Sequence, residues 1–270
     1  MKTALIVLNK EGVRTAREIA GYLTTVDVYL PGPPEKLTVD ILKNTEAGGL
    51  PEIVDDAFRS YHGLIFIMAS GIAVRMIAPH VRDKYNDPAV VVLDDACRFA
   101  VSLLSGHEGG ANKLAYRCAA AVGAVPVIST GTETNKPVTL GIGCRKGASA
   151  DAVREAVLKG CKAAGFGAGA EMKQVRCAAS IDLKKYEPGL IEACSKLEAP
   201  LRFFSKEEIN SFCGEYTENE IAFKNLGVRA VAEPCALLAG RNSRLLLPKQ
   251  VIGNVTIAVA IEQTNKDDSG

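Results

Sequence analysis

The chain contains 270 residues, of which 47% are hydrophobic and 23% charged, with a formal net charge of +1. This length allows one large or two modest domains, and the composition is typical of a globular protein with a substantial core. A charge near zero gives no overall attraction to nucleic acid or to an anionic membrane surface. No apolar run reaches the length of a membrane span. We therefore expect neither a nucleic acid nor a membrane as partner.

Eight cysteines are spread over the chain, and none belongs to a C-x-x-C pair. Met1 leads almost directly into a predicted strand, without a secretory leader, so we expect free thiols and a cytoplasmic protein. His107-Glu108 begins like the zinc motif H-E-x-x-H, but Ala111 stands where the second histidine belongs. No metal site is expected.

Apolar runs alternate with helical spacing along the first half of the chain. Strand–helix alternation of this kind predicts an α/β domain with a mainly parallel sheet flanked by helices. The polar segment 129–137, which ends in a proline, is the predicted linker. The predicted strands lie at 3–8, 26–30, 63–68, 89–93, 99–104 and 125–128, and the predicted helices at 13–23, 50–61, 72–77 and 109–122.

A second α/β unit of the same kind is predicted after the linker, which gives domains at 1–131 and 137–264. Ser149 is a predicted helix N-cap, and Ser205 with Glu208 forms a predicted capping box. The predicted strands lie at 138–143, 175–179, 201–204, 245–247 and 255–261, and the predicted helices at 150–164, 189–197, 205–212 and 231–238.

The turn between strand 99–104 and the next helix carries the strongest indication of function. Its sequence, S-G-H-E-G-G-A-N at 105–112, places a histidine beside a carboxylate among glycines. Glycines let the backbone approach a ligand, and free N–H groups at a helix start suit an anion. The alternative is a tight turn whose glycines serve geometry alone. Ser105 near His107 also suggests a nucleophile–base pair, although no G-x-S-x-G elbow surrounds it.

Other turns after predicted strands carry charged side chains. Arg75, four residues after Gly71, can clamp a carboxylate or lie on the surface. Asp94-Asp95 ends a strand and offers either a general base or an ordinary turn.

The glycines at 141–147 follow the spacing G-x-G-x-x-x-G, one residue longer than the dinucleotide fingerprint, and no ribose-binding acid follows at the right distance. Nicotinamide binding is therefore weakly indicated. Arg145 and Lys146 in this segment still offer an anion-binding corner.

Taken together, several motifs form one pattern. In the first half these are G-I-A-V-R-M-I-A-P-H at 71–80, D-K at 83–84, D-P-A-V-V-V-L-D at 87–94 and L-L-S-G-H-E-G-G-A-N at 103–112. In the second half they are G-I-G-C-R-K-G at 141–147, I-D-L-K-x-x-E at 181–187 and G-V-x-A-V-A-E-P-x-A-L at 227–237. The two sets resemble the N-terminal and C-terminal domains of the CbiG family, the cobalt-precorrin-5A hydrolases.

The resemblance implies a reaction in the anaerobic branch of cobalamin synthesis. The family opens a δ-lactone on ring A of cobalt-precorrin-5A and releases a two-carbon fragment as acetaldehyde. Cobalt would then arrive with the substrate, and no cofactor of the protein's own is expected. Members of the family often carry a middle segment between the two domains, whereas segment 129–137 joins the domains directly here.

The expected roles combine this reaction with local chemistry. His107 is the expected base that activates water, with Glu108 or Asp94 as alternatives, and the N–H groups of Gly109 and Gly110 are the expected oxyanion donors. The remaining expected substrate contacts are Gly71, Arg75, Lys84, Ser105, Gly106, Asn112, Gly143, Arg145, Lys146 and Glu233.

Two other functions stay open from the sequence. The chain could bind or carry a tetrapyrrole without catalysis, or it could be a nicotinamide-dependent reductase, which rests only on the glycines at 141–147. A homodimer and association with other enzymes of the cobalamin pathway also stay open.

Overall fold

A computed structural model of the protein describes residues 1–23, 25–30, 49–166, 172–218 and 220–263. The chain divides into two compact units, 1–130 and 131–270. The break falls inside the predicted linker, whose residues Gly131–Thr134 form a short helix.

Unit 1 is built on a six-stranded sheet in the order β2-β1-β3-β4-β5-β6. Neighbouring strands run parallel except β4 and β5, which are antiparallel. The predicted α/β fold with a mainly parallel sheet is thus confirmed for this unit. The strands are β1 (Thr3–Val7), β2 (Val26–Tyr29), β3 (Gly63–Ile67), β4 (Ala89–Leu93), β5 (Phe99–Leu104) and β6 (Val125–Val127). The helices are α1 (Lys10–Leu23), α2 (Leu50–Ser60), α3 (Ser70–Ile77) and α4 (Ala111–Val122).

Helices cover both faces of this sheet. Every residue of β1, β3 and β4 is buried, which explains why these strands read as unbroken apolar runs in the sequence. Alternate residues of each strand enter different cores: Leu5 packs with α1 and α4, and Ile6 packs with α2 and α3. The central strands are therefore a rigid base for the turns at both edges of the sheet.

Unit 2 contains a five-stranded sheet in the order β10-β11-β7-β8-β9. Strands β7, β8 and β9 are parallel, whereas β11 runs antiparallel to both of its neighbours. The strands are β7 (Val138–Cys144), β8 (Val175–Ile181), β9 (Leu201–Phe204), β10 (Ser243–Ile252) and β11 (Val255–Glu262). The helices are α5 (Gly131–Thr134), α6 (Ala150–Ala163), α7 (Pro188–Lys196), α8 (Lys206–Ser211), α9 (Glu220–Leu226) and α10 (Ala232–Ala239).

Three features of unit 2 differ from the sequence prediction. The sheet is mixed rather than mainly parallel, because the terminal hairpin β10–β11 adds to it antiparallel. β10 is far longer than the predicted strand at 245–247, because most of its residues are not buried and do not give an apolar pattern. Helix α9 was not predicted; its Phe223 is 60% exposed, so it lacks a clear buried stripe. The N-cap at Ser149 and the capping box of Ser205 are confirmed.

Candidate functional site

The glycine-rich turn at 105–110 lies at the end of the sheet where strand β4 begins. Because β5 runs antiparallel to β4, Leu104 at the end of β5 pairs with Val90 near the start of β4. β5, α4 and β6 form a parallel unit of their own, so the turn also lies at the carboxyl end of that pair. Parallel units commonly bind ligands at this end.

Local packing explains two glycines of this turn. A Cβ on Gly109 would lie 2.5 Å from Ser105 Cβ, and one on Gly106 would lie 2.6 Å from Thr130 Cγ2, so any larger residue would displace the turn. Gly110 has a φ of +89°, which favours glycine. The shape of the turn therefore requires glycine at these three positions, and this requirement is compatible with a binding function of the turn.

Hydrogen bonds close the turn onto the start of α4. The N–H groups of Ala111 and Asn112 donate to the carbonyls of Ser105 (3.2 Å) and Gly106 (2.9 Å). The N–H groups of Gly109 and Gly110 have no such acceptor among the described residues. They are the donors that stay available to a ligand at this helix start.

Asn112 ties the turn to neighbouring polar groups. Its side chain is buried, accepts a hydrogen bond from Ser102 Oγ at 2.8 Å and donates to Thr130 Oγ1 at 2.8 Å. The structure thus gives Asn112 a structural role, and its contact with substrate stays a prediction. Ser102 and Thr130 are not among the predicted site residues, although a serine at a strand position before a glycine turn can indicate a buried polar tether.

The groups on the open side of the turn are a histidine, a carboxylate and an amine. His107 and Glu108 are exposed, and Lys84 Nζ lies 4.0 Å from Glu108 Oε1. Ser105 has a φ of +54°, and its hydroxyl is buried with no hydrogen-bond partner in the described part of the chain. A base, a cation and two free N–H groups together are suited to hydrolysis of an anionic ester or lactone.

Asp94 lies at the opposite end of β5 from this turn. Its carboxylate accepts hydrogen bonds from the N–H groups of Arg98 (2.8 Å) and Phe99 (2.9 Å) and from Arg98 Nε (2.8 Å). Burial alone would raise its pKa, but these hydrogen bonds outweigh burial and lower the pKa of Asp94 below its usual range. Asp94 thus closes the hairpin between β4 and β5, away from the glycine turn, and its role as an alternative base stays a prediction.

Gly71 and Arg75 also lie away from the glycine turn. They belong to α3, which follows the carboxyl end of β3, and Arg75 Nη1 donates to the carbonyl of Gly71 at 2.9 Å. Arg75 lines a surface cavity of 330 Å³ between α2 and α3. The cavity is lined by Pro51, Glu52, Asp55, Arg75, Met76, Pro79 and His80.

Arg145 and Lys146 follow β7 on an exposed loop. The carboxylate of Glu187 holds this loop in place. Glu187 accepts a hydrogen bond from the N–H of Gly147 at 2.7 Å and pairs with Lys184 Nζ at 3.0 Å. Burial opposes ionisation of Glu187, but the Gly147 N–H and the Lys184 ammonium outweigh it and lower the pKa of this carboxyl. The I-D-L-K-x-x-E motif is thus the anchor of the basic loop.

Helix packing accounts for the first glycine in the run at 141–147. A Cβ on Gly141 would lie 1.7 Å from the carbonyl oxygen of Ala232, because α10 rests directly on β7. Gly143 carries no such constraint, since the nearest atom to its Cβ position is 3.7 Å away. The need for a glycine at 141 therefore comes from helix–sheet contact.

Glu233 is buried inside unit 2, with only 1% of its surface exposed. Its carboxylate accepts the N–H of Thr217 at 2.5 Å and the N–H of Lys249 at 2.8 Å. These bonds tie the first turn of α10 to segment 212–218 and to β10. Glu233 therefore has a structural role inside unit 2, and its contact with substrate stays a prediction.

The residues described contain no group of three or more histidine, cysteine or acidic side chains placed to hold a metal ion. None of the eight cysteines forms a disulfide. Among the helices that the structure describes, none combines the length and the apolar character that a membrane crossing requires.

The fold and the glycine turn define an α/β protein with a candidate small-molecule site at the carboxyl end of a β-α-β unit. Residues 52–133 match the family described as "Cobalamin synthesis G N-terminal", and residues 138–260 match "Cobalamin synthesis G C-terminus". Together these matches cover most of the chain in the order found in the family. The chain belongs to the cobalamin synthesis G (CbiG) family.

Three curated relatives carry related names. The chain is 27% identical to "Cobalt-precorrin-5A hydrolase" of Priestia megaterium, over 96% of this chain and 94% of the relative. It is 53% identical to the Salmonella typhimurium protein of that name over 33% of this chain and 25% of the relative. It is 25% identical to "Probable cobalt-precorrin-5A hydrolase" of Methanocaldococcus jannaschii, over 76% of this chain and 87% of the relative.

The Priestia alignment spans 361 residues, more than the 270 of this chain, so that relative contains residues without a counterpart here.

Proposed function

We propose that this protein is a cobalt-precorrin-5A hydrolase of anaerobic cobalamin biosynthesis. It opens the δ-lactone on ring A and releases the two-carbon fragment as acetaldehyde, which gives cobalt-precorrin-5B. The observation that supports this most strongly is the match of both family domains, in order, over 52–133 and 138–260. The similarity to the Priestia protein of that name along 96% of the chain supports it further.

In the first step of the proposed reaction, His107 takes a proton from water, and the water oxygen bonds to the lactone carbonyl carbon. The N–H groups of Gly109 and Gly110 stabilise the negative charge on the carbonyl oxygen. The ring C–O bond then breaks and its oxygen takes the proton held by His107, which yields an alcohol and a carboxylic acid that ionises by releasing its proton to solvent. In the second step the alcohol loses its proton and its C–O bond becomes the aldehyde C=O, while the bond that joins this carbon to the macrocycle breaks. Acetaldehyde leaves, and the macrocycle takes up a proton in its place. The exposure of His107 and the free N–H groups support these roles, and Glu108 is the alternative base.

The substrate carries several carboxylate groups, so its binding site needs cations. Exposed basic residues occur in each unit: Lys84 lies beside the glycine turn in unit 1, and Arg145 and Lys146 follow β7 in unit 2. Arg75 lines its own cavity on unit 1. We include these four side chains among the substrate contacts, which gives local positive charge in a chain whose net charge is only +1.

The proposed reaction uses no cofactor of the protein, because hydrolysis needs only water and the cobalt arrives as part of the substrate. The proposal also includes a cytoplasmic location, where the other steps of the pathway supply the substrate. A homodimer and contacts with other pathway enzymes remain part of the proposal, and sedimentation of the pure protein with and without those enzymes tests them.

The test is anaerobic incubation of the full chain with cobalt-precorrin-5A, with acetaldehyde detected by alcohol dehydrogenase and NADH. The hydrolase proposal expects NADH oxidation that needs both the protein and the coupling enzyme, and a corrinoid that has lost the two-carbon fragment. Substrate bound without any acetaldehyde would contradict the proposal and favour a carrier. NADH oxidation without the coupling enzyme would favour a reductase.

A further inference from the structure

An exposed tyrosine lies on the loop between α3 and β4. Tyr85 is 73% exposed, and Val81 on the same loop is 42% exposed. A large aromatic side chain left open to water often marks a binding surface, although a single one can occur anywhere. An exposed ring is a better candidate for a ligand contact when the protein holds the backbone that carries it.

Two aspartates hold the loop. Asp87 is buried, and both of its carboxylate oxygens accept the N–H of Arg82, at 2.9 and 3.1 Å. Asp83 Oδ1 accepts the N–H groups of Tyr85 at 2.9 Å and Asn86 at 3.1 Å. Hydrogen bonds to these two carboxylates therefore hold the backbone that carries the exposed ring.

The ring lies on the same surface as the glycine turn. Lys84 Nζ is 4.8 Å from the centre of the Tyr85 ring and 4.0 Å from Glu108 Oε1, so one ammonium joins the tyrosine to the residue after His107. The carbonyl oxygen of Asp87 lies 3.5 Å from the Cβ position of Gly109. The loop between α3 and β4 and the glycine turn at 105–110 thus form one continuous surface.

We propose that Tyr85 is a substrate-binding residue whose ring packs against the face of the corrinoid macrocycle, while Lys84 binds one of the peripheral carboxylates. This inference rests on the proposed function and adds a contact to it. A flat conjugated ligand with acidic arms needs an aromatic surface with a cation beside it, and Lys84 with Tyr85 offers both next to the proposed base.

The chain offers a matched control in the same unit. Phe99 is 43% exposed, and the guanidinium of Arg98 lies 5.6 Å from the centre of its ring. It therefore also has a basic residue against an exposed aromatic ring. However, it begins β5, at the end of that strand opposite the glycine turn, so the proposal gives it no contact with substrate.

The experiment compares Tyr85→Leu, Tyr85→Phe and Phe99→Leu in the full chain. Tyr85→Leu is expected to raise KM about two- to twelvefold with kcat little changed, which is the range of an aromatic stacking contact. Tyr85→Phe keeps the ring and is expected to keep the KM, and Phe99→Leu is expected to leave it unchanged. An unchanged KM in Tyr85→Leu, or an equal loss in Tyr85→Phe, would overturn the proposal.

A direct titration separates this proposal from the hydrolase proposal. Binding of cobalt-precorrin-5A to the same variants is followed by its absorbance in a His107→Ala background. Binding that Tyr85→Leu weakens supports the stacking contact even if the wild-type protein releases no acetaldehyde, a result that would remove only the hydrolase proposal. Equal affinity in all variants, together with normal turnover of the wild-type protein, would remove only the stacking contact.

Discussion

Asp94 and His107 lie at opposite ends of strand β5, one before Phe99 and the other after Leu104. A strand of 6 residues separates their positions by roughly 20 Å. These two candidate bases are 13 positions apart in the sequence, but the extended strand β5 lies between them and puts them at different ends of the sheet. Of the two, only His107 lies at the same end of the sheet as Lys84 and as the N–H groups of Gly109 and Gly110, for which the described residues supply no acceptor.

Substitution of the two candidates should therefore have different effects. We expect His107→Ala to lower turnover by about 10²- to 10⁴-fold, the usual contribution of a general base. Asp94→Asn should keep turnover within a few-fold and lower the free energy of unfolding by about 1 kcal/mol, because it weakens charged hydrogen bonds in the hairpin. Acetaldehyde release and urea unfolding of both variants check this. Loss of turnover in Asp94→Asn alone would reverse the assignment.

Gly109→Ala should damage the turn itself. Its new Cβ would meet Ser105 Cβ at 2.5 Å and the Ser105 carbonyl at 3.0 Å, so the turn must shift, at a cost of about 1–3 kcal/mol. Gly21→Ala is the control, because nothing lies within 4 Å of that Cβ position on α1 and alanine favours a helix. Urea unfolding should show a loss in the first variant and a small gain in the second. A neutral Gly109→Ala would mean that the turn is less tightly packed than described.

Glu187 should make the stability of unit 2 depend on pH. Its pKa in the folded state lies below its ordinary value of 4.5, so its charged form stabilises the fold. That stabilisation is fully present above the ordinary pKa and is lost as the pH falls through the lowered, folded-state value. Glu187→Gln should therefore be less stable than the wild type by about 1–2 kcal/mol at neutral pH.

Urea unfolding of both proteins over a range of pH measures this difference. The two stabilities should converge in acid, where the wild-type carboxyl is protonated. A difference that stays constant down to the lowest pH would show that charge is not the cause.

Glu233 should act on stability and not on substrate binding. Glu233→Ala leaves the N–H groups of Thr217 and Lys249 without their acceptor in the interior, which costs about 1–3 kcal/mol for each group that water cannot reach. KM of the folded fraction should be unchanged. A stable variant with a raised KM would return Glu233 to the substrate contacts.

The sequence could predict much of the fold because its central strands are buried on both faces. β1, β3 and β4 are apolar throughout, and the helix caps at Ser149 and Ser205 depend on neighbouring residues only. β10 differs from these strands, because buried and exposed residues do not alternate regularly along it. Its length follows from its pairing with β11. Pairing between distant segments is not visible in a local pattern.

The candidate site was predictable in composition but only partly in arrangement. The histidine, carboxylate and glycines at 105–110 could be recognised as one turn. The separation of Asp94 from His107 follows from the predicted strand at 99–104, because an extended strand keeps the residues at its two ends apart. The burial of Asn112 and Glu233 depends on distant partners such as Thr130 and Lys249. A local sequence pattern therefore does not show that a polar residue near a site is buried among internal partners.

The most direct test of the hydrolase account is turnover of cobalt-precorrin-5A in ¹⁸O-labelled water under anaerobic conditions. Attack of water on the lactone carbonyl predicts one ¹⁸O atom in the ring A carboxylate of the corrinoid product, found by mass spectrometry, and formation of this labelled product about 10²- to 10⁴-fold more slowly in His107→Ala. A corrinoid product that has lost the two-carbon fragment without ¹⁸O in that carboxylate would contradict the account.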